Sequence, residues 1–277
     1  IHRFGIDSVK QNTGPSLVQL LIGSEGVFGL ILGAGVGLLP RPREFLTVLL
    51  PLPDMALLPG LPARLSAAGL LPSAMEFWDS AVLADLRAHG PEEARRLPGE
   101  ALVLLEFDDA GCSHAGFVEQ LLEALSEAAA NAEVATTGPQ REALWALRRL
   151  TSVHLKQRFP KKVSEDVVVP RDRLPEFFAR LAGSGLPAVS YGHLGDGNLH
   201  VNLLQAGEQE GEALEAALEP LFALCLALGG TLSGEHGIGL AKRTAFLRHA
   251  DPYAIAALRA LKQALDPRGV FNAGKVF

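Results

Sequence analysis

Apolar residues recur at helical spacing along most of the chain and alternate, or run unbroken, in a few short stretches. The spacing predicts helices over residues 61–68, 80–88, 117–131, 140–158, 174–182, 212–228 and 252–265. Within 140–158 the repeat is carried by Leu144, Leu147 and Leu150. Three of these segments meet a stop signal: Gly183, the pair Gly229-Gly230, and Asp266-Pro267. Strands are predicted at 45–50, 101–107 and 166–169, the last closed by Pro170. Residues 1–40 are apolar and punctuated by glycine. There, 17–22 reads as helix or strand, 23–26 as a turn and 28–32 as a strand. Residues 40–43, Pro-Arg-Pro-Arg, read as an extended linker with a domain boundary between 40 and 41. Helices interleaved with a few strands imply an α+β fold, an antiparallel sheet with helices covering one face.

The sharpest alternation is Tyr191-Gly-His-Leu-Gly-Asp-Gly-Asn-Leu-His-Val-Asn202. An Asp196-Gly197 two-residue loop would make it a hairpin in which His193 faces His200, Leu194 faces Leu199 and Gly195 faces Asn198. Directly opposed Cβ atoms lie about 4.5–5.5 Å apart, close enough for two imidazoles to share one ion. Alternation then places Tyr191, His193, Asn198, His200 and Asn202 on one face, and Gly192, Leu194, Leu199, Val201 and Leu203 on the other. One face is core and the other a candidate site. Asp196 serves the turn itself. Asn198 and Asn202 either support the site or satisfy a polar face.

A second cluster, Gly234-Glu-His-Gly-Ile-Gly239, follows the long helix. Its glycines let the backbone approach other groups closely. Glu235 and His236 are neighbours, so their side chains are expected to diverge, one toward a metal and the other toward a substrate. His193, His200 and Glu235 then form a two-histidine, one-carboxylate set with open positions, as a catalytic metal site requires. His236 is left as a general base with a pKa near working pH. A single histidine is more often an ordinary packed or surface residue. Two across one tight turn, with a glycine-bracketed Glu-His pair elsewhere, favour the metal.

Composition narrows the classes. The 277 residues carry a net charge of −6 and no dense Lys/Arg stripe with aromatics, which argues against a nucleic-acid surface. The longest apolar run, 17–39, is interrupted by glycines, Ser24 and Glu25 and is no membrane span. Cys112 and Cys225 lack metal or redox spacing, so both read as packing residues of a reducing, cytoplasmic compartment. No signal peptide is read. The start at Ile1, in mid-pattern, suggests an upstream portion. Gly33-Ala-Gly-Val-Gly37 is no dinucleotide fingerprint, because the third glycine position is Leu38.

YGHLGDGNLH, SGEHGIG and the closing DPRGVFNAGKVF resemble the FAD-linked oxidases, which include D-lactate dehydrogenases, glycolate oxidase and D-2-hydroxyglutarate dehydrogenase. LLIGSEGVFGLI resembles the end of that family's flavin domain, and PSAMEFWD, LWALR and EDVVVP resemble its substrate domain in the same order. The resemblance implies residues 1–40 as the end of an FAD-binding domain. It implies 41–277 as a ferredoxin-like cap domain whose tail returns to the flavin domain. It places a divalent metal of zinc, manganese or iron type on His193, His200 and Glu235, the base at His236 and the substrate carboxylate on Arg148. A planar, permanently charged guanidinium suits that last role, although Arg148 and Arg149 could also form a solvated face. Thr151 or Ser152 could add a hydroxyl and Lys161 or Lys162 a charge. Lys242 and Arg243 fit a helix flank. On the flavin side, Gly23, Ser24, Glu25, Gly26 and Gly29 match the family's GSEGTLGI turn and Asn272 its NPGK asparagine. Val27-Phe28, Pro15 and Ala273 depart from the pattern, and the family's glycine-rich pyrophosphate loop lies upstream.

The implied activity is FAD-dependent, metal-assisted oxidation of a small D-2-hydroxy acid of lactate or glycolate type. The electron acceptor would be a quinone, a cytochrome or another flavoprotein, with partner subunits or peripheral membrane attachment as options. Three rivals stand beside it: a metal-dependent hydrolase, a flavin-dependent transferase of the same superfamily, and a non-catalytic or truncated relative.

Overall fold

The computed structural model describes residues 1–8, 10–108, 117–125, 131–135, 137–204 and 212–277. In chain order its elements are α1 (Leu17–Leu21), β1 (Phe45–Leu52), α2 (Leu61–Ala67), β2 (Ala74–Trp78), α3 (Ser80–His89), β3 (Ala101–Asp108), α4 (Phe117–Leu125), β4 (Glu133–Ala135), α5 (Gly138–Arg158), β5 (Val163–Val168), α6 (Leu174–Gly183), β6 (Ala188–His193), β7 (Asn198–Leu203), α7 (Glu212–Ala227), α8 (Arg243–His249) and α9 (Pro252–Leu265). They form two compact units, one of Arg41–Gly234 and one of Ile1–Pro40 with Glu235–Phe277.

Arg41–Gly234 is built on a seven-stranded sheet in the order β4-β1-β3-β2-β6-β7-β5. Every ladder in it is antiparallel. The α+β expectation holds, but helices cover both faces rather than one. On one face Phe77 and Phe107 meet Phe178 of α6 and Phe117 of α4 at ring distances of 5.6 and 5.0 Å. On the other, Leu49, Trp78, Leu102, Leu104 and Tyr191 pack with Val82, Leu83 and Leu86 of α3 and Leu144 and Leu155 of α5. A strand with helices above and below has no solvent side. That is why Ala101–Phe107 reads as a nearly unbroken apolar run rather than an alternating one.

Helix α5 positions the site. Thr137 caps it through its hydroxyl and Pro139 lies in its first turn, where a missing N–H costs nothing. Its sheet-facing stripe is partly polar, and each turn is tied down separately. Arg141 and Trp145 bond Glu106 on β3, Arg148 bonds Glu76 on β2, and Thr151 accepts the Trp78 indole N–H. His154 completes the series against Asp85 of α3 at 2.6 Å.

In the other unit, Val27, Phe28 and Val276 form a small core with Leu21, Ile238, Phe246, Leu258 and Leu261. The ammonium of Lys262 bonds the Val27 and Phe271 carbonyls and Asp266. That hydrogen bond, with the Phe271 and Val270 N–H groups, holds the Asp266 carboxyl down to about 2. Residues 28–32 form no strand, contrary to expectation. Phe28 is buried, but Leu30, Ile31 and Leu32 are exposed, and they pair with no strand among the described residues. An apolar run permits a strand but cannot supply its partner. Segment 17–22 resolves as the short helix α1. Strands β2 and β4 and helix α8 add to the elements expected from the pattern, and Lys242 and Arg243 stand at the start of α8. Cys225 is buried, as expected of a packing residue. Cys112 and residues 126–130 of the expected helix lie outside the described residues. Among those described, no helix is long and apolar enough to cross a membrane.

Candidate active site

Opposed residues in an antiparallel ladder share a face, so the register lays out the site. Glu76 pairs His193 and His193 pairs Asn198, giving one row across β2, β6 and β7. The next row runs Trp78, Tyr191, His200 and Asp166 across β2, β6, β7 and β5. His193 and His200 are therefore diagonal neighbours, not directly opposed as a two-residue loop requires. The loop spans four residues, Leu194–Gly197. Leu194 is fully buried, the Gly195 N–H reaches the Met75 carbonyl, and the Asp196 carboxylate accepts the Asn198 N–H. The shift is by two positions, and a period-two pattern survives an even shift, so the predicted face is correct. The two imidazoles stand edge to face with centroids 5.1 Å apart.

Glu76 is the hub of this face and carries no signal by spacing. It is 5 % exposed. One carboxylate oxygen lies 2.6 Å from His193 Nδ1, and the other accepts the Arg148 Nε–H at 2.6 Å. Burial pushes the Glu76 carboxyl up, but the His193 hydrogen bond and the Arg148 charge outweigh it and hold it below the usual carboxylate range. The same hydrogen bond raises His193 above its ordinary value, against the effect of burial. Arg148 also lies over the Tyr191 ring, 4.9 Å from its centroid. Its planar group is thus fixed at Nε and on one face, with the two terminal nitrogens at the far edge.

The neighbouring candidates separate clearly. Thr151 is buried and spends its hydroxyl on Trp78 and the Leu147 carbonyl, while Ser152 is exposed. Lys162 reaches the hairpin, donating to Asn202 Oδ1 at 2.6 Å. Burial, with the nearby Lys156 charge, lowers the Lys162 ammonium. Asp166, fully buried beside His200, accepts the Gly234 N–H at 2.9 Å and the Ser233 hydroxyl. A Cβ on Gly234 would stand 2.6 Å from the Asn198 amide, which would have to move to admit it. Glu235 is the next residue in the chain. A cavity of roughly 300 Å³ borders Glu76 and His193, with Arg171 also in its lining.

In the other unit, Glu235 and His236 do not diverge as expected. Their Oε1 and Nε2 atoms are 3.5 Å apart and both side chains are about half exposed. Neighbours alternate sides only in a strand, and this segment is a glycine-rich turn. The turn is held by Glu25, whose carboxylate accepts the N–H groups of Ile238 and Gly239, each at 2.8 Å. Glu25 has φ +49°, between Gly23 and Gly26 at +72° and +71°. Asn272 donates its side-chain amide to the Glu25 carbonyl. The Glu25 and Asn272 side chains thus both bond to the protein backbone. At Gly23 and Gly29 an added Cβ would meet nothing within 4 Å, so that backbone edge is open.

One face of the antiparallel sheet thus gathers two imidazoles, a buried carboxylate and a guanidinium held through its Nε. Residues 41–276 match the model of the FAD linked oxidases, C-terminal domain, and the chain belongs to that family. It is 32% identical over 310 residues to an uncharacterized FAD-linked oxidoreductase of Mycobacterium tuberculosis, across 100% of this chain and 62% of that protein. It is 33% identical over 279 residues to the mitochondrial D-2-hydroxyglutarate dehydrogenase of Bos taurus, covering 96% of this chain and 50% of the relative. To a D-lactate dehydrogenase of Archaeoglobus fulgidus it is 33% identical over 282 residues, covering 98% and 60%. The chain thus spans between half and about 62% of these relatives. The 4-ethylphenol oxidase from Gulosibacter chungangensis shares the fold, with a TM-score of 0.64 at 16% identity over 96% of this chain and 59% of that one.

Proposed function

We propose that this chain is the substrate-side portion of a flavoenzyme that oxidises a small D-2-hydroxy acid to the 2-oxo acid. The observation that carries the reading is the Arg148–Glu76–His193 relay beside His200, an anion clamp and a metal ligand locked to one carboxylate. The named activities of the bovine and archaeal relatives point to the same substrate class.

The residues fit a divalent metal of zinc, manganese or iron type. His193 and His200 share a face with close rings, and Asp166 anchors Gly234, the residue before Glu235. With Nδ1 given to Glu76, His193 would bind through Nε2, in the carboxylate–histidine–metal arrangement that fixes ring orientation. When bound, such an ion supplies Lewis-acid polarisation of the substrate hydroxyl. FAD, when bound, supplies the acceptor for the Cα hydrogen and its two electrons.

The chain's own residues do the rest. Arg148 takes the substrate carboxylate on its terminal nitrogens, a geometry lysine cannot reproduce. His236 accepts the hydroxyl proton at a ring nitrogen as the Cα–H bond breaks, leaving the 2-oxo acid. Residues 1–40 are the end of the flavin domain in this reading, and the open backbone at Gly23 and Gly29 and the Asn272 region would hold the cofactor. Their grouping with Glu235–Phe277 in one compact unit supports a tail that returns to that domain. The final electron acceptor in this reading would be a quinone, a cytochrome or another flavoprotein.

His236→Ala in the flavin-loaded protein should lower turnover by on the order of 10²–10⁴-fold, the usual share of a general base, while metal content by elemental analysis stays unchanged. Near-normal turnover in that variant removes His236 from the mechanism.

A further inference from the structure

We infer that Glu76 is a positioning residue that sets the metal-binding edge of His193 and the carboxylate-binding edge of Arg148 at the same time. The inference rests on the proposed function and assigns one residue to link its two halves. Glu76 lies in the stretch PSAMEFWD, on β2, where it faces His193 in register. Its two oxygens take two different partners, each at 2.6 Å. The first pins the imidazole so that Nε2 is the metal-facing nitrogen. The second occupies Nε of the guanidinium, so that the Nη1–Nη2 edge is the one left to meet a ligand. A glutamine in the same place could serve only one of these well, because it has a single acceptor oxygen and an amide that donates.

The same face contains its own comparison. Glu106, on β3, is also a buried carboxylate bound by an arginine of α5, and Trp145 and Thr47 donate to it as well. Burial pushes it up, and the bonds from Arg141, Trp145 and Thr47 bring it below the ordinary carboxylate value. The partners found for Glu106 are residues outside the proposed machinery, so it acts as packing. Glu76 differs from it in one respect: both of its partners are proposed to touch ligand.

The test compares Glu76→Gln and Glu106→Gln in the flavin-loaded protein, stripped of metal and titrated with Zn²⁺ or Mn²⁺ against a chromophoric chelator. Glu76→Gln should weaken metal binding 10–100-fold, the effect typical of losing a carboxylate behind a histidine ligand. It should also weaken 2-oxo acid binding, read from the flavin spectrum, and raise KM. Glu106→Gln should lower the melting temperature and leave metal and product affinity unchanged. Glu76→Asp, which keeps the charge but retracts both oxygens by one methylene, should behave as Glu76→Gln does and serves if the glutamine variant does not fold. Wild-type protein that binds no metal overturns the proposed site and this inference with it. Wild-type binding that both Glu76 variants retain, with unchanged product affinity, overturns the inference alone.

Discussion

Arg148 is a side chain whose geometry the fold fixes at two points. Its Nε is committed to Glu76 and its face to Tyr191, so the rotamer entropy of a long side chain is largely spent within the fold. A lysine at this position has neither the fork nor a second edge to offer. Arg148→Lys should therefore raise KM by about 10–100-fold, corresponding to roughly 1.5–3 kcal/mol for a charge-assisted hydrogen-bond pair. Steady-state kinetics with a D-2-hydroxy acid reads this directly, and an unchanged KM would remove Arg148 from substrate binding. The sequence marks Arg148, His193 and His200 because their chemistry sits in compact motifs. It does not mark Glu76, whose partners are 72 and 117 residues away along the chain. Only the sheet brings them together. Glu25 and Asn272 illustrate the reverse problem. A motif identifies both, but the side chains serve the turn, and only coordinates separate a backbone role from a side-chain role.

At the level of elements, the hairpin is the instructive case. Period-two alternation identifies the correct face, because the true register differs from the expected one by an even number of positions. Loop length was the illegible part: Leu194 tucks into the core and Asp196 closes on Asn198, neither of which alternation reveals. Gly197 anchors the loop at φ +78°, and a Cβ there would lie 2.1 Å from the Val169 carbonyl oxygen. Gly197→Ala should thus cost at least about 2 kcal/mol, from left-handed backbone strain and the clash together. Denaturant unfolding measures it, and a midpoint equal to wild type would mean Gly197 is not packed against the Val169 carbonyl. Strand β2 escaped notice for a related reason. It is five residues long, and the charge at its centre breaks the apolar pattern. That charge is the one that binds both His193 and Arg148.

At the scale of the whole molecule, the chain divides into the sheet unit and the unit of Glu235–Phe277 with Ile1–Pro40, and each holds different candidate residues. The first carries Arg148, His193 and His200 on one polar face; the second carries Glu235, His236 and the glycine turn. Fold class was readable because helical and strand periods differ. The covering of both faces was not foreseen, although the unbroken apolar run of β3 is its sequence mark. The central claim is that a divalent metal and this chain's residues together prepare a hydroxy acid for a flavin. The most direct measurement is flavin bleaching by a panel of D-2-hydroxy acids, in protein loaded with FAD, before and after chelator dialysis. The account predicts bleaching by a D-2-hydroxy acid that chelation abolishes and that Zn²⁺, Mn²⁺ or Fe²⁺ restores. Bleaching that survives complete metal removal, or a flavin that no 2-hydroxy acid reduces, would contradict it.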